Sequence, residues 1–328
     1  MRYLVLLCLF IFSTASAGVT SSAEVSSSGA VAYSLNTGRL GDNLLTVAHA
    51  AWFSHVLELP LVYQPFTYSD RLCIDNDPNL LRARPPVPNI LKLKSAKDYL
   101  SFYRAVRQNK KLTDILIEVP FYPESSYLFE DHPNQAQFTK VNWKDPEFHA
   151  TLRNWIAPKN PIPKLNLPSN KTTVALHYRT GEVYDKKHWK LRFPLKGPPD
   201  EFYIDCLNYL HKIESKPLYV HIFTDSPHPA AVKKKFQKLF PHAEFNIFIP
   251  EKGQDTVLED FFSMDGFKCL IRPESNFSIV AGYLFPFQII LSPVNFRWNE
   301  NKTITVDQIL LEYNPKGAPS FSTTLRKS

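Results

Sequence analysis

The sequence predicts an α/β protein made of two Rossmann-like, doubly wound domains that face a cleft. Three observations predict it. A strand-helix-strand run begins at residue 30, a second and sharper alternation begins at residue 172, and the stretch APKNPIPKLNLPSNK with its four prolines lies between them. Strand-helix-strand order marks a parallel sheet, and a proline-rich stretch with little periodicity marks a linker. A length of 328 residues also exceeds what one core usually serves. The expected domains are therefore 29–160 and 171–316.

The elements follow in order. AVAYSL (30–35) reads as a strand, and residues 38–59 read as a glycine turn followed by an amphipathic helix. LPLVY (59–63) reads as a second strand; 65–94 is irregular and proline-rich, 96–107 helical, and DILIEV (114–119) a buried strand. Past the linker the expected strands are TTVALHY, LYVHIFTD, AEFNIFI, FKCLIR and FQIILS. Helices are expected between them at 200–213, 229–239, 256–264 and 275–284. This is a sheet of about five parallel strands with helices on both faces.

Composition narrows the function. A chain 44% hydrophobic and 13% aromatic is globular rather than disordered. Its net charge of +7 favours an anionic ligand, but the basic residues are scattered, so no nucleic-acid partner is expected. The first 17 residues have a basic start, an apolar run and an Ala-Ser-Ala ending, the three parts of a secretory signal peptide. The expected location is the secretory pathway or the extracytoplasmic side. The alternative is a signal-anchored protein, membrane-proximal only through an uncleaved signal. No later run reaches the length of a membrane span. Outside the signal stand Cys73, Cys206 and Cys269, an odd number that excludes a disulfide scaffold; Cys206 and Cys269 lie in apolar periodic segments and read as buried thiols. No metal-ligand spacing occurs among Cys and His.

Four polar clusters end a predicted strand or open a helix, which is where open α/β sheets bind ligands. In GRLGDN, Gly38 and Gly41 flank Arg39 and precede Asp42 and Asn43, which allows close backbone approach to a ligand. In HYRTGE, Arg179 has the planar fork suited to phosphate oxygens, beside His177, Gly181 and Glu182. FTDS places Asp225 at a strand end; helix capping is the plain alternative. In the fourth, Glu259 and Asp260 sit early in one helix, while Ser275, Asn276 and Ser278 open the next; Ser275 reads either as an anion contact or as an N-cap.

These four segments, in this order, resemble motifs of the alpha-1,2-fucosyltransferases. GRLGDNLL resembles their glycine loop, HYRTGE their H-x-R-x-G-D, FTDSP their Ser/Thr-Asp-Asp segment and ESNFSIVAGYL their N-S-S-F-S-W-W-G-A-W-L. The resemblance covers most of 29–292, with no match over 64–160. It implies a GT-B arrangement and metal-independent, inverting transfer of fucose from GDP-fucose, or of the sugar of another GDP-sugar, to a glycan acceptor. The donor is a substrate and no cofactor is implied. By resemblance, Arg179 binds the diphosphate and His177 the guanosine portion, Asp260 accepts from the guanine, and Ser275, Asn276, Ser278 and Asp225 complete the donor site. The loop of Gly38, Arg39, Gly41 and Asn43 faces the sugar or acceptor, and the catalytic candidates are Arg179 with Glu182 and Asp42 as bases. The chain departs from the family at Glu182, where Asp is usual, at Ser226, and at Ile279 and Val280 in place of paired Trp.

The competing reading is a secreted carbohydrate- or GDP-sugar-binding protein of the same fold without turnover. A hydrolase lacks support, since no G-x-S-x-G elbow occurs. Sequons stand at Asn170, Asn276 and Asn301; Asn276 lies in the expected donor loop, so it is expected to carry no glycan.

Overall fold

The computed structural model describes residues 29–35, 38–87, 89–93, 98, 102, 115–119, 141–180, 193–251, 253–314 and 321–326. The expected signal peptide, Gly181, Glu182 and most of the helix expected at 96–107 lie outside the described residues.

The first half contains β1 (Ala30–Tyr33), α1 (Leu40–Leu57), β2 (Asn89–Lys92), β3 (Ile115–Val119) and α2 (Pro146–Ile156). Its sheet is parallel, in the order β1-β3-β2. LPLVY is no full strand. It runs parallel to β1 through the single bridge Val31 to Leu61, and Val62 bridges onward to Leu81. Pro60 has no N–H to extend that ladder, which explains its brevity. Two elements escape the sequence reading, β2 and α2. The start of α2 carried a readable signal: Pro146 is at its first turn and Asp145 caps it, accepting from Phe148 N at 2.9 Å.

The second half contains β4 (Thr172–Tyr178), α3 (Asp200–Ile213), β5 (Leu218–Thr224), α4 (Pro229–Leu239), β6 (Ala243–Ile247), α5 (Val257–Ser263), β7 (Cys269–Ile271), α6 (Asn276–Leu284), β8 (Ile289–Trp298), β9 (Ile304–Tyr313) and β10 (Phe321–Arg326). They build a seven-stranded sheet in the order β10-β9-β8-β7-β4-β5-β6. Five strands, β8 to β6 in that order, are mutually parallel, as the alternation predicts. The additions are β9 and β10, joined antiparallel on the β8 edge and running past 316. Pro293 lies inside β8, and the register with β9 shifts just after it, as a residue without an N–H requires.

Every residue of β4 is buried, as befits a parallel strand covered on both faces. Chain order departs from β4 in both directions, through β5 to β6 on one side and to β7 and β8 on the other. The carboxyl ends of β4 and β7 thus flank the switch point where doubly wound sheets bind ligands.

One sheet face packs on α3 and α4 residues such as Phe202, Tyr203 and Phe236. The other face shares a single core with the first half, in which Val47, Ala51 and Phe53 of α1 join Phe261 of α5 and Val280, Ala281 and Leu284 of α6. Helix α1 is therefore buried nearly all round, including Gly41, Leu44, Val47, Ala50 and Phe53. Its first turn meets the first turn of α6. A Cβ built on Gly41 would fall 2.6 Å from both the Asn276 carbonyl carbon and Phe277 Cα, and nearer still to Phe277 N.

Gly41→Ala is consequently expected to destabilise the chain by about 1–3 kcal/mol, the usual cost of overpacking, despite the higher helix propensity of alanine. Denaturant unfolding measures this; an alanine variant as stable as the parent contradicts the close approach.

Candidate functional site

Alternation along β4 sends His177 and Tyr178 to opposite faces. Tyr178 turns to the α3 and α4 side, where its hydroxyl donates to Asp200 at 2.9 Å and accepts from Lys235 at 2.5 Å. His177 turns to α6, where its Nδ1 lies 2.8 Å from Ser278 Oγ and its ring lies 5.4 Å from that of Phe277. Burial, and then the neighbouring Arg179 charge, hold the His177 pKa far below its ordinary value, so the ring is neutral.

Arg179 leaves the strand end with its side chain only 12% exposed. Its Nη1 donates to Ser275 Oγ at 2.6 Å, across the switch point from β4 to the start of α6. Ser275 is thus the N-cap residue by position, while its hydroxyl serves Arg179 and makes no capping bond. Asp225, at the end of β5, accepts from Thr180 N at 2.9 Å and stands 3.8 Å from both Arg179 Nε and Arg39 Nη2. It does not cap α4, whose N-cap is His228. One carboxylate therefore orients two guanidinium groups, one from each half of the molecule.

The glycine loop differs from its expectation. Gly41 brings its backbone close to the peptide of Asn276 and Phe277, so its open space serves the chain itself. Asn43 is 2% exposed and donates to Gly38 O at 3.3 Å, tying the loop back on itself rather than facing a sugar. Asp42 uses both carboxylate oxygens: one accepts from Arg39 N at 3.2 Å, and the other accepts from the Asn276 side-chain amide. Arg39 alone of the loop presents a largely exposed side chain, at 60%. Asn276, 8% exposed and bonded to Asp42, is a sequon closed by packing; Asn170 and Asn301 are exposed.

Asp260 sits on α5 and accepts from Thr256 Oγ1 at 3.1 Å. Burial raises its pKa to about 6. The neighbouring Phe261 ring packs edge-on to Phe277, 5.4 Å away, which links α5 to the start of α6.

Lys196 escaped the sequence reading. It ends the 3-10 turn Pro194–Lys196, and Glu274 N donates to Leu195 O at 2.9 Å, pinning that turn beside the start of α6. Burial lowers its pKa, while the nearby Asp42 charge works against the shift and that of Arg179 adds to it. The segment PLKGPP carries no motif, so only the fold reveals this third cation. Arg39, Arg179, Lys196 and Arg272 against Asp42, Asp225 and Glu274 leave one net positive charge around the sheet edge, suited to a diphosphate or similar anion.

No family model and no curated protein matches the sequence. Solved structures do match. An Arabidopsis thaliana FUT1 mutant in complex with GDP superposes with a TM-score of 0.52 at 14% identity, covering 86% of this chain and 73% of that one. NodZ alpha-1,6-fucosyltransferase soaked with GDP-fucose has a TM-score of 0.43 at 14% identity, over 88% of this chain and 100% of that one; the NodZ protein is from Bradyrhizobium. POFUT1 in complex with GDP-fucose has 0.40 at 10% identity, over 80% and 95%. The first shares the fold, and the α/β, GT-B class predicted from the sequence holds. The other two scores are too low to carry argument.

Two measurements probe the site. Asn276→Asp would set a second carboxylate against Asp42 and is expected to cost about 1–3 kcal/mol; adding Asp42→Asn should recover most of it in denaturant unfolding. In the pH profile, buried His177 and His221, the latter lowered to about 4 by burial, stay neutral when folded but take protons when unfolded below 6.5. Their contribution is full above that pH and lost as pH falls. Asp260 works oppositely: its raised pKa gives stability at low pH that is lost as pH rises through about 6. Desolvation raises the Glu274 pKa in the same sense as that of Asp260, and the two large histidine shifts outweigh these two carboxyls, so the unfolding temperature should drop from pH 6.5 to 4, and more steeply in Asp260→Asn.

Proposed function

We propose that the protein is a glycosyltransferase that binds a GDP-sugar, GDP-fucose foremost, and transfers its sugar with inversion to a glycan hydroxyl. The observation that supports this most is the Arg179 to Ser275 contact at the switch point, because it joins two motif segments 96 residues apart. The GDP and GDP-fucose complexes named above belong to other proteins, and their chemistry is carried over only as part of this reading.

In the proposed reaction, the sugar carbon loses its bond to the diphosphate while the acceptor oxygen forms one. Negative charge grows on the leaving GDP. Arg179, held in place by Asp225 and Ser275, is the group proposed to offset that charge without reorganising. Neutral His177, fixed by Ser278, offers a ring nitrogen to the nucleotide without adding charge. Asp260 is the proposed acceptor for guanine N–H groups. Arg39 and Lys196 supplement the positive field from either side.

We assign Asp42 to joining the two halves rather than to proton abstraction, since both its oxygens are already engaged by donors of the chain itself. Glu182 is retained as the candidate base. A chain entering the secretory pathway through residues 1–17 would meet its donor in a lumen that imports nucleotide sugars.

Thermal shift tests the donor site first. GDP at one hundred times its dissociation constant is expected to add about 2.7 kcal/mol of stability to the parent and little to Arg179→Ala. UDP- and CMP-sugars should shift neither. With a working acceptor, Arg179→Ala should lower kcat/KM by about two to three orders of magnitude, and transfer should survive EDTA. GDP binding without transfer or donor hydrolysis, across varied acceptors, supports the binding-protein reading instead. No shift with any GDP-sugar overturns both.

A further inference from the structure

A second feature lies away from the sheet edge. Between the 3-10 turn Cys73–Asn76 with the residues after it and the end of α2, a cavity of about 290 Å³ opens to solvent, lined by Cys73, Asn76, Asp77, Pro78, Asn79, Asn154 and Trp155.

Its walls are held before any ligand arrives. The Trp155 indole Nε1 donates to Asp77 Oδ2 at 2.5 Å, which fixes the half-buried ring. The other Asp77 oxygen accepts from Asn79 N at 2.8 Å, and Arg82 donates to Asp77 O at 2.8 Å. Cys73 N donates to Ala157 O at 2.8 Å and Lys159 N to Arg71 O at 2.9 Å, stitching the turn to the chain that leaves α2. A Lys159 to Asp75 ion pair at 2.8 Å closes the same seam.

What the cavity offers is specific in kind. Its wall is mainly apolar and includes one indole and one proline, and the exposed residues Asn76, Asn79 and Asn154 also line it. No cation is among its lining residues, so a phosphate or sugar acid finds no counter-charge. The one carboxylate, Asp77, accepts one N–H on each oxygen from the wall itself. A pyranose ring answers this inventory. Its C–H face is weakly positive and meets the negative face of an indole, and its hydroxyls both donate and accept, as side-chain amides do. The volume stands at the lower end for ligand pockets, which suits one ring rather than an extended chain.

We propose that this cavity binds one neutral hexose unit of a glycan, stacked on Trp155 and hydrogen-bonded by Asn76, Asn79 and Asn154. The inference stands on the cavity's own chemistry and does not need the donor site. If the protein is a transferase, the cavity holds the body of the acceptor. Arg71, two residues from its wall, is paired at 2.8 Å with Glu259 of α5, which ties that wall to the half carrying the proposed donor site.

The chain carries its own reporter, because Cys73 is exposed at the cavity while Cys206 and Cys269 are buried. Alkylation of Cys73 by iodoacetamide in the native protein is followed with methyl β-D-galactopyranoside, methyl α-D-mannopyranoside, cellobiose, methyl β-D-glucuronide or sorbitol present. At least one neutral glycoside should slow labelling several-fold at millimolar concentration, while sorbitol and the glucuronide should not. Asn76→Ala and Asn154→Ala, exposed positions whose folding is checked by circular dichroism, should each weaken protection about three- to tenfold. Trp155→Phe should weaken it too. Absence of protection by every neutral sugar, equal protection by the glucuronide, or protection unchanged in the double Asn variant overturns the proposal. None of these outcomes depends on GDP, so failure here is separable from failure of the donor reading.

Discussion

Everything at the sheet edge depends on one close approach, that of Gly41 on α1 to the Asn276–Phe277 peptide on α6. Two helix starts from opposite halves of the chain come together where any larger residue would hold them apart. The Asp42 to Asn276 hydrogen bond then locks the pair in register. Around this contact α1, α5 and α6 share a continuous apolar core, so the halves are packed together at this seam.

That seam also organises charge. Ser275 and Ser278 belong to the same turn as Asn276, and they hold Arg179 and His177. Arg39 precedes α1 and reaches Asp225 on the other half. A chain that loosened Gly41 would therefore move the cationic groups relative to one another. Burial does the remaining tuning: it keeps His177 neutral and leaves Arg179 as the fixed charge beside it. The ordinary alternative for each of these residues, a helix cap or a solvated surface charge, is excluded for Ser275 and Asp225 by the partners they make.

The second half was readable because parallel strands and their helices advertise themselves. The expected spans 200–213 and 229–239 coincide with α3 and α4, and TTVALHY with β4, since long periodic segments leave little choice. LPLVY pairs parallel to β1 as expected but at a single bridge, because an apolar run says nothing about how many ladder bonds its one proline permits. β9 and β10 were missed because their pairing extends an edge that the parallel alternation does not announce. Asp42, a candidate base by resemblance, has both oxygens engaged within the chain, which no local pattern announces.

The amino-acid sequence by itself determined the α/β class, the parallel order of strands and the strand ends where polar groups collect, because these follow from local periodicity and from the chirality of strand connections. It also identified Arg179, His177, Ser275 and Ser278 as candidates. Only the tertiary structure decided that Arg179 grips Ser275, that Gly41 receives backbone rather than ligand, that Asn43 turns inward and that Lys196 joins the cluster. The physical reason is distance along the chain for the contacts that build the site: Arg179 and Ser275 are 96 positions apart and Gly41 and Phe277 are 277 − 41 = 236 apart, and no local pattern encodes which surfaces meet once a shared core is buried.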